Sequence, residues 1–161
     1  GSAMGPMSQT DFTSCSQDLS GIPCANCTTG CLPTPEPRMT VSIPLCASAD
    51  LLDGGDAVSF DLVYDGRACR AFAIRFRGRV HAYLNRCTHV AMEMDFRPNR
   101  FFDVTGQWLI CATHGATYRP DTGACAGGPC HGGLAVIALS EQDGVVRWHT
   151  DSHAQPLDGL L

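Results

Sequence analysis

Two short stretches of this chain each carry one sulfur and one imidazole. The first is Cys87-Thr88-His89. The second, after the twenty-one residues 90–110, is Cys111-Ala112-Thr113-His114-Gly115. Soft thiolates combined with imidazoles select zinc or iron–sulfur centres, whereas magnesium and calcium take oxygen. Zinc modules usually space the members of a ligand pair by two or more residues, and they pair Cys with Cys and His with His. A Cys-x-His turn answered by Cys-x-x-His-Gly divides instead into two sulfurs for one metal and two nitrogens for another. That division fits an iron–sulfur centre with unlike irons, and a tetrahedral zinc site stands as the alternative.

Residues 53–149 resemble the Rieske ferredoxin-type domain through both ligand turns, the Gly after the second His, and the later Gly128-Pro129. Each half-motif is weak alone. Together, in order and at this separation, they are specific. The resemblance implies a [2Fe–2S] cluster whose inner iron is held by Cys87 and Cys111. Its outer iron would be held by His89 and His114 through Nδ1, leaving each Nε2 at the surface. Replacing two anionic thiolates by neutral imidazoles raises the potential to roughly −150 to +300 mV, against about −400 mV for plant-type clusters. Gly115 is expected to spare the wrapping backbone from crowding, with Gly127, Gly128 and Pro129 forming a third loop over the cluster.

Respiratory members of the resembled family clamp the two ligand loops with a disulfide. Its positions here hold Met92 and Thr113, so that clamp is absent. The same members place a Ser and a Tyr after the second His to donate hydrogen bonds to the cluster. Ala116 removes the first hydroxyl and Tyr118 keeps the second. Fewer donors to sulfur stabilise the reduced state less, which implies a potential in the lower part of the range. Cys125 and Cys130 have three readings: a local disulfide replacing the clamp, a thiol switch, or small buried residues. The last is the usual fate of free Cys, and cytosolic disulfides are uncommon.

The elements that must position these turns read as β. Residues 40–43 alternate briefly, Asp53-Gly54-Gly55-Asp56 is a turn, and 57–64 is a strand closed by Asp65-Gly66. A hairpin follows with Phe72, Ile74 and Phe76 on one face and Ala71, Ala73, Arg75 and Arg77 on the other. Gly78 lies in its turn, and Val80, Ala82 and Leu84 are expected to continue the buried face. Arg75, Arg77 and Arg79 offer a docking patch for an acidic partner, or a solvated strand face, which is the favoured reading. Met92-Glu93-Met94-Asp95 and Phe101-Phe102 fill the space between the ligand turns. Strands are expected at 108–110, 116–118, 134–139 and 145–149, with turns at Pro120-Asp121-Thr122-Gly123 and Gln142-Asp143-Gly144. The expected class is all-β, an antiparallel sandwich or open barrel. The resemblance adds a small inserted cluster-binding subdomain at about 85–130.

At 161 residues the chain holds one domain with a tail. Residues 1–38 read as an expression remnant followed by a Cys- and Pro-rich tail, and residues 39–161 as the folded domain. Cys24, Cys27 and Cys31, with Cys15 nearby, could make a second metal site. Reduced thiols in a tail are favoured, because three close cysteines do not complete a tetrahedron. His81, His131, His149 and His153 show no ligand spacing. Net charge is −5, with all eleven basic residues Arg, which argues against general nucleic-acid binding. No apolar run reaches a membrane span and no signal peptide is evident, so the expected location is the cytoplasm.

The expected function is a soluble one-electron carrier between a reductase and a terminal enzyme, both proteins. A Rieske oxygenase needs a second domain with mononuclear iron, and with so few residues after His149 oxygenase activity is not expected of these 161 residues. Alternatives are a small subunit of a larger oxidoreductase, or a cluster or thiol redox sensor.

Overall fold

The computed structural model describes residues 39–157. Cys15, Cys24, Cys27 and Cys31 lie outside them. Eleven strands run in chain order: β1 (Ser42–Ala47), β2 (Val58–Tyr64), β3 (Arg67–Phe76), β4 (Arg79–Leu84), β5 (Leu109–Ile110), β6 (Thr117–Tyr118), β7 (Cys125–Gly127), β8 (Val136–Ile137), β9 (Leu139–Gln142), β10 (Val145–His149) and β11 (Ala154–Gln155). They form a five-stranded sheet in the order β11-β2-β3-β4-β8, and two three-stranded sheets, β1-β10-β9 and β5-β6-β7. Every strand pair is antiparallel. The β5-β6-β7 sheet is built from the chain between β4 and β8, two neighbours in the large sheet. The expected all-β class with an inserted small unit is therefore the one observed. Among the described residues no helix is long and apolar enough to cross a membrane.

Three tight turns set the registers. Asp65-Gly66, Arg77-Gly78 and Asp143-Gly144 each place two successive residues at positive φ, from 48° to 77°. Hairpins need this geometry because such turns match the right-handed twist of the strands. Arg is an unusual first residue there. Asp53 holds it, its carboxylate accepting the amides of Arg77 at 2.8 Å and Gly78 at 2.6 Å.

Strand β3 is buried on both sides, not on one. Ala71, Phe72, Ala73 and Ile74 are all fully buried. Phe72 and Ile74 join a core with Met94, Phe101, Leu109 and Tyr118, where the Phe72 and Phe101 rings stack with centroids 3.7 Å apart. Ala71 and Ala73 face a second core with Leu62, Val146 and Trp148. The register Ala71↔Leu84 and Ala73↔Ala82 puts Ala82 and Leu84 on this second face. They do not continue the Phe72 face as the alternation implied. Tyr83, paired with Phe72, does so.

Other boundaries also differ. Strand β1 starts later than expected and runs through Pro44, which sits on an edge strand at a register shift between Pro44 and Cys46, where a missing N–H is tolerated. The strand expected over 134–139 is two, because β8 pairs with β4 while β9 pairs with β10. Trp148 is buried in the second core.

Arg75 is not a docking residue. Its guanidinium donates to the carbonyls of Leu51 (2.8 Å) and Ser48 (3.1 Å) and pairs with Glu141 at 2.5 Å. It thereby ties β3 to β9, one strand from each of two sheets. The Arg75 contact, followed by the Ser48 hydroxyl, holds the Glu141 carboxyl below its ordinary value. A carboxylate depressed in the fold stabilises it above the ordinary glutamate range, and that contribution is lost as pH falls through the depressed value. Arg75→Ala should cost about 2 kcal/mol in denaturant unfolding at neutral pH, since charged hydrogen bonds are broken. The gap from wild type should narrow as pH falls below the ordinary glutamate range and Glu141 protonates.

Candidate metal centre

The first ligand turn leaves β4 and is bracketed by one side chain. Asn85 is buried, its amide donating to Asp95 Oδ1 at 2.7 Å while its Oδ1 accepts the Met94 amide at 2.8 Å. Within that bracket the Cys87 amide donates to the Met92 carbonyl at 2.9 Å. The second turn, between β5 and β6, closes on itself. Cys111 N–H donates to Ala116 O at 2.8 Å, and Gly115 N–H donates to Cys111 O at 2.9 Å. The Ala112 amide donates to the Met94 carbonyl at 2.9 Å, so the bracketed loop and the second turn are joined directly.

These links bring the four sequence-predicted residues together in two unlike pairs. Cys87 and Cys111 are buried, 3% and 0% exposed, in the same core cluster. His114 is exposed and His89 half-exposed, their rings edge to face with centroids 4.9 Å apart. Sulfur lies inside and imidazole outside. Nδ1 of His89 is buried with no hydrogen-bond partner. A buried polar atom left so costs about 1–3 kcal/mol unless something else satisfies it. Among the described residues, no group of three or more His, Cys, Asp or Glu side chains is arranged to hold a single metal ion.

The environment favours thiolate at Cys87. Burial alone pushes the thiol up. The Tyr118 hydroxyl, the amides of His89 and Val90, and the Cys111 side chain outweigh it, and the thiol lies below its ordinary value. Tyr118 is fully buried on β6, with its oxygen 3.4 Å from Cys87 Sγ, 3.0 Å from the Thr88 amide and 2.9 Å from Thr88 Oγ1. Burial and the neighbouring Cys87 push the Tyr118 hydroxyl up in turn, so it stays protonated and can donate. Ala116 is fully buried and offers no donor.

Gly115 has a different reason from the one expected. A Cβ there would meet nothing within 4 Å, and what the position requires is its φ of +73°. The close approach is at Gly128, where a Cβ would stand 2.6 Å from Gly115 O and 3.1 Å from Ala116 Cα. The third loop therefore packs backbone against backbone on the second turn. Cys125 and Cys130, at its two ends, are joined as a disulfide and are not the small buried thiols favoured from sequence. The remaining described cysteines, Cys46, Cys69, Cys87 and Cys111, are free.

Two residues here, Asn85 and Thr88, were not singled out from sequence, and His131 was set aside for want of ligand spacing. Asn85 is the bracket, Thr88 donates to Gly132 O at 3.0 Å, and His131 has its ring 6.1 Å from that of His89. Polar residues acting by contact across the fold leave no spacing to read. His149 and His153, four apart on a strand and the turn after it, bond separately to Ser140 (2.8 Å) and Asp65 (2.6 Å).

Comparison with known proteins gives the following. The Rieske [2Fe-2S] domain family matches residues 42–138. No curated protein matches the chain in sequence. Among solved structures, the ferredoxin of Sphingomonas yanoikuyae B1 is 23% identical with a TM-score of 0.53, over 69% of this chain and 100% of its own. The ferredoxin of carbazole 1,9a-dioxygenase from Nocardioides aromaticivorans IC177 is 20% identical with a TM-score of 0.53, over 66% and 95%. The terminal oxygenase of carbazole 1,9a-dioxygenase from Novosphingobium sp. KA1 is 22% identical with a TM-score of 0.54, over 73% of this chain. This chain spans 31% of that oxygenase. At these identities the likeness is one of fold.

The bracket makes its own test. Asn85→Ala leaves the Met94 amide and Asp95 without their partner, and should lower unfolding stability by about 1–3 kcal/mol. Asn85→Asp, which keeps the acceptor but sets a carboxylate against Asp95, should fall at least as far. If neither moves the denaturation midpoint, the first ligand turn is held by something else.

Proposed function

Because the chain belongs to the Rieske [2Fe-2S] domain family, we propose that it is a one-electron carrier in which Cys87 and Cys111 hold the inner iron and His89 and His114 the outer one. The family's cofactor is a [2Fe-2S] cluster, and when bound it accepts and returns a single electron. The carrying observation is the sorting of the four side chains, with both sulfurs buried and both imidazoles outside them. The orphaned His89 Nδ1 supports the assignment, since an iron there satisfies a buried lone pair that no protein group reaches.

Each part of the chain then has a task. Backbone amides and Tyr118 keep Cys87 in the thiolate form that binds metal. The buried core around Phe101, Leu109 and Ala116 keeps water from the sulfur side. His114 and His89 reach the surface and give the electron a short way out. The donor and acceptor are proteins, a reductase and a terminal enzyme, as the ferredoxin fold of two of the structural neighbours supports.

The potential lies in the lower part of the Rieske range. Tyr118 supplies a hydrogen bond to the sulfur of Cys87, while Ala116 supplies none, and Met92 and Thr113 leave no disulfide across the two ligand loops. A donor to sulfur stabilises the more negative, reduced state.

Metal and sulfide analysis should find two irons and two sulfides per chain, as the family's cofactor requires. The electron spin resonance of the reduced protein should show the anisotropy of a His-ligated centre. A colourless protein holding one zinc overturns the reading. In a redox titration Tyr118→Phe should lower the midpoint by roughly 40 mV, the equivalent of about 1 kcal/mol of hydrogen bonding withdrawn from the reduced state. Ala116→Ser should move it the opposite way.

A further inference from the structure

The disulfide between Cys125 and Cys130 closes a segment that touches both ligand turns. At one end, Cys125 stands opposite Tyr118 in the β6–β7 register. Gly128, in the middle, packs on Gly115 and Ala116 so closely that no side chain fits between. Beyond Cys130, the Gly132 carbonyl accepts from Thr88 at 3.0 Å and the His131 ring lies 6.1 Å from that of His89. Cys130 packs against the core that contains Cys87, Cys111 and Tyr118. Residues 125–132 are therefore a strap laid across the first and second turns, and the disulfide fixes its curvature. The two sulfurs differ in access: Cys125 is exposed and Cys130 half-buried.

We propose that Cys125–Cys130 is a thiol–disulfide exchange site, opened by a dithiol reductant, and that its opening loosens the strap from the ligand turns and makes the cluster labile. The proposal rests on the ligand set given above. A thiolate of the reductant attacks the exposed Cys125 Sγ, a new S–S bond forms, and Cys130 leaves as thiolate and takes a proton. The second thiol of the reductant then displaces Cys125, which also leaves as a thiol. The protein disulfide gains two electrons and two protons, and the dithiol becomes a disulfide. The bridge limits the conformations open to the strap, so its loss lets the strap loosen without removing any core side chain.

The test uses holoprotein purified in air without added thiol. Alkylation followed by peptide mass mapping should find Cys125 and Cys130 unlabelled and linked. Dithiothreitol should make both labelable and raise the rate of iron loss to a ferrous chelator by about tenfold. The double variant Cys125→Ala/Cys130→Ala should lose iron at the faster rate and not respond to dithiothreitol. Hydrogen exchange over residues 125–132 reads the same loosening in a chain that carries no iron, so a failed iron and sulfide assay does not hide the answer. Three results overturn the proposal. The cysteines are labelled before reduction, or the bridge opens with no change in exchange and iron loss, or dithiothreitol accelerates the double variant equally.

Discussion

The proposed ligand set asks two thiols from turns more than twenty residues apart to meet in a dry place and the imidazoles beside them to stay wet. The rest of the small sheet follows from that demand. Burial raises the cost of a thiolate, so donors must be delivered with it, and Tyr118 and the amides of His89 and Val90 are those donors. Tyr118 can do this only because β6 carries it inward beneath the first turn. The Ala112–Met94 hydrogen bond locks the two turns in the register that makes the meeting possible.

Legibility in the sequence followed the range of the interaction. Asp65-Gly66 and Asp143-Gly144 announced hairpins because a positive φ at both positions is a local demand that few residue pairs meet. The Cys and His turns were legible for the same reason: chemistry fixes both residue type and close spacing. What failed was long-range. The alternation of β3 was real, but Ala71 and Ala73 are small because a second sheet covers them, not because they face water. Arg75 looked like a solvated charge, yet it spans two sheets and finds its partners 27 residues upstream and 66 downstream. Strands of two or three residues, such as β7, β8 and β11, hold too few positions to display a period.

The candidate centre shows the same division. Its four principal residues could be named from sequence, whereas the side chains that hold them, Asn85 and Thr88, could not. A hydrogen bond from Asn85 to Asp95 depends on where the chain turns back, which residue spacing does not encode. The close approach expected at Gly115 is found at Gly128 for the same reason. The glycine inside the motif serves a backbone angle, and the one outside it serves a close approach.

Strand β3 has a consequence for how such a chain can vary. Its bulky and its small residues alternate between two separate interiors, Phe72 and Ile74 toward one and Ala71 and Ala73 toward the other. Adding or removing one residue there would turn every following side chain to the opposite face. Rings would then be forced into space cut for methyl groups, and methyl groups left in space cut for rings. The strand therefore has a fixed length, and a change of length is absorbed only in the connections around it.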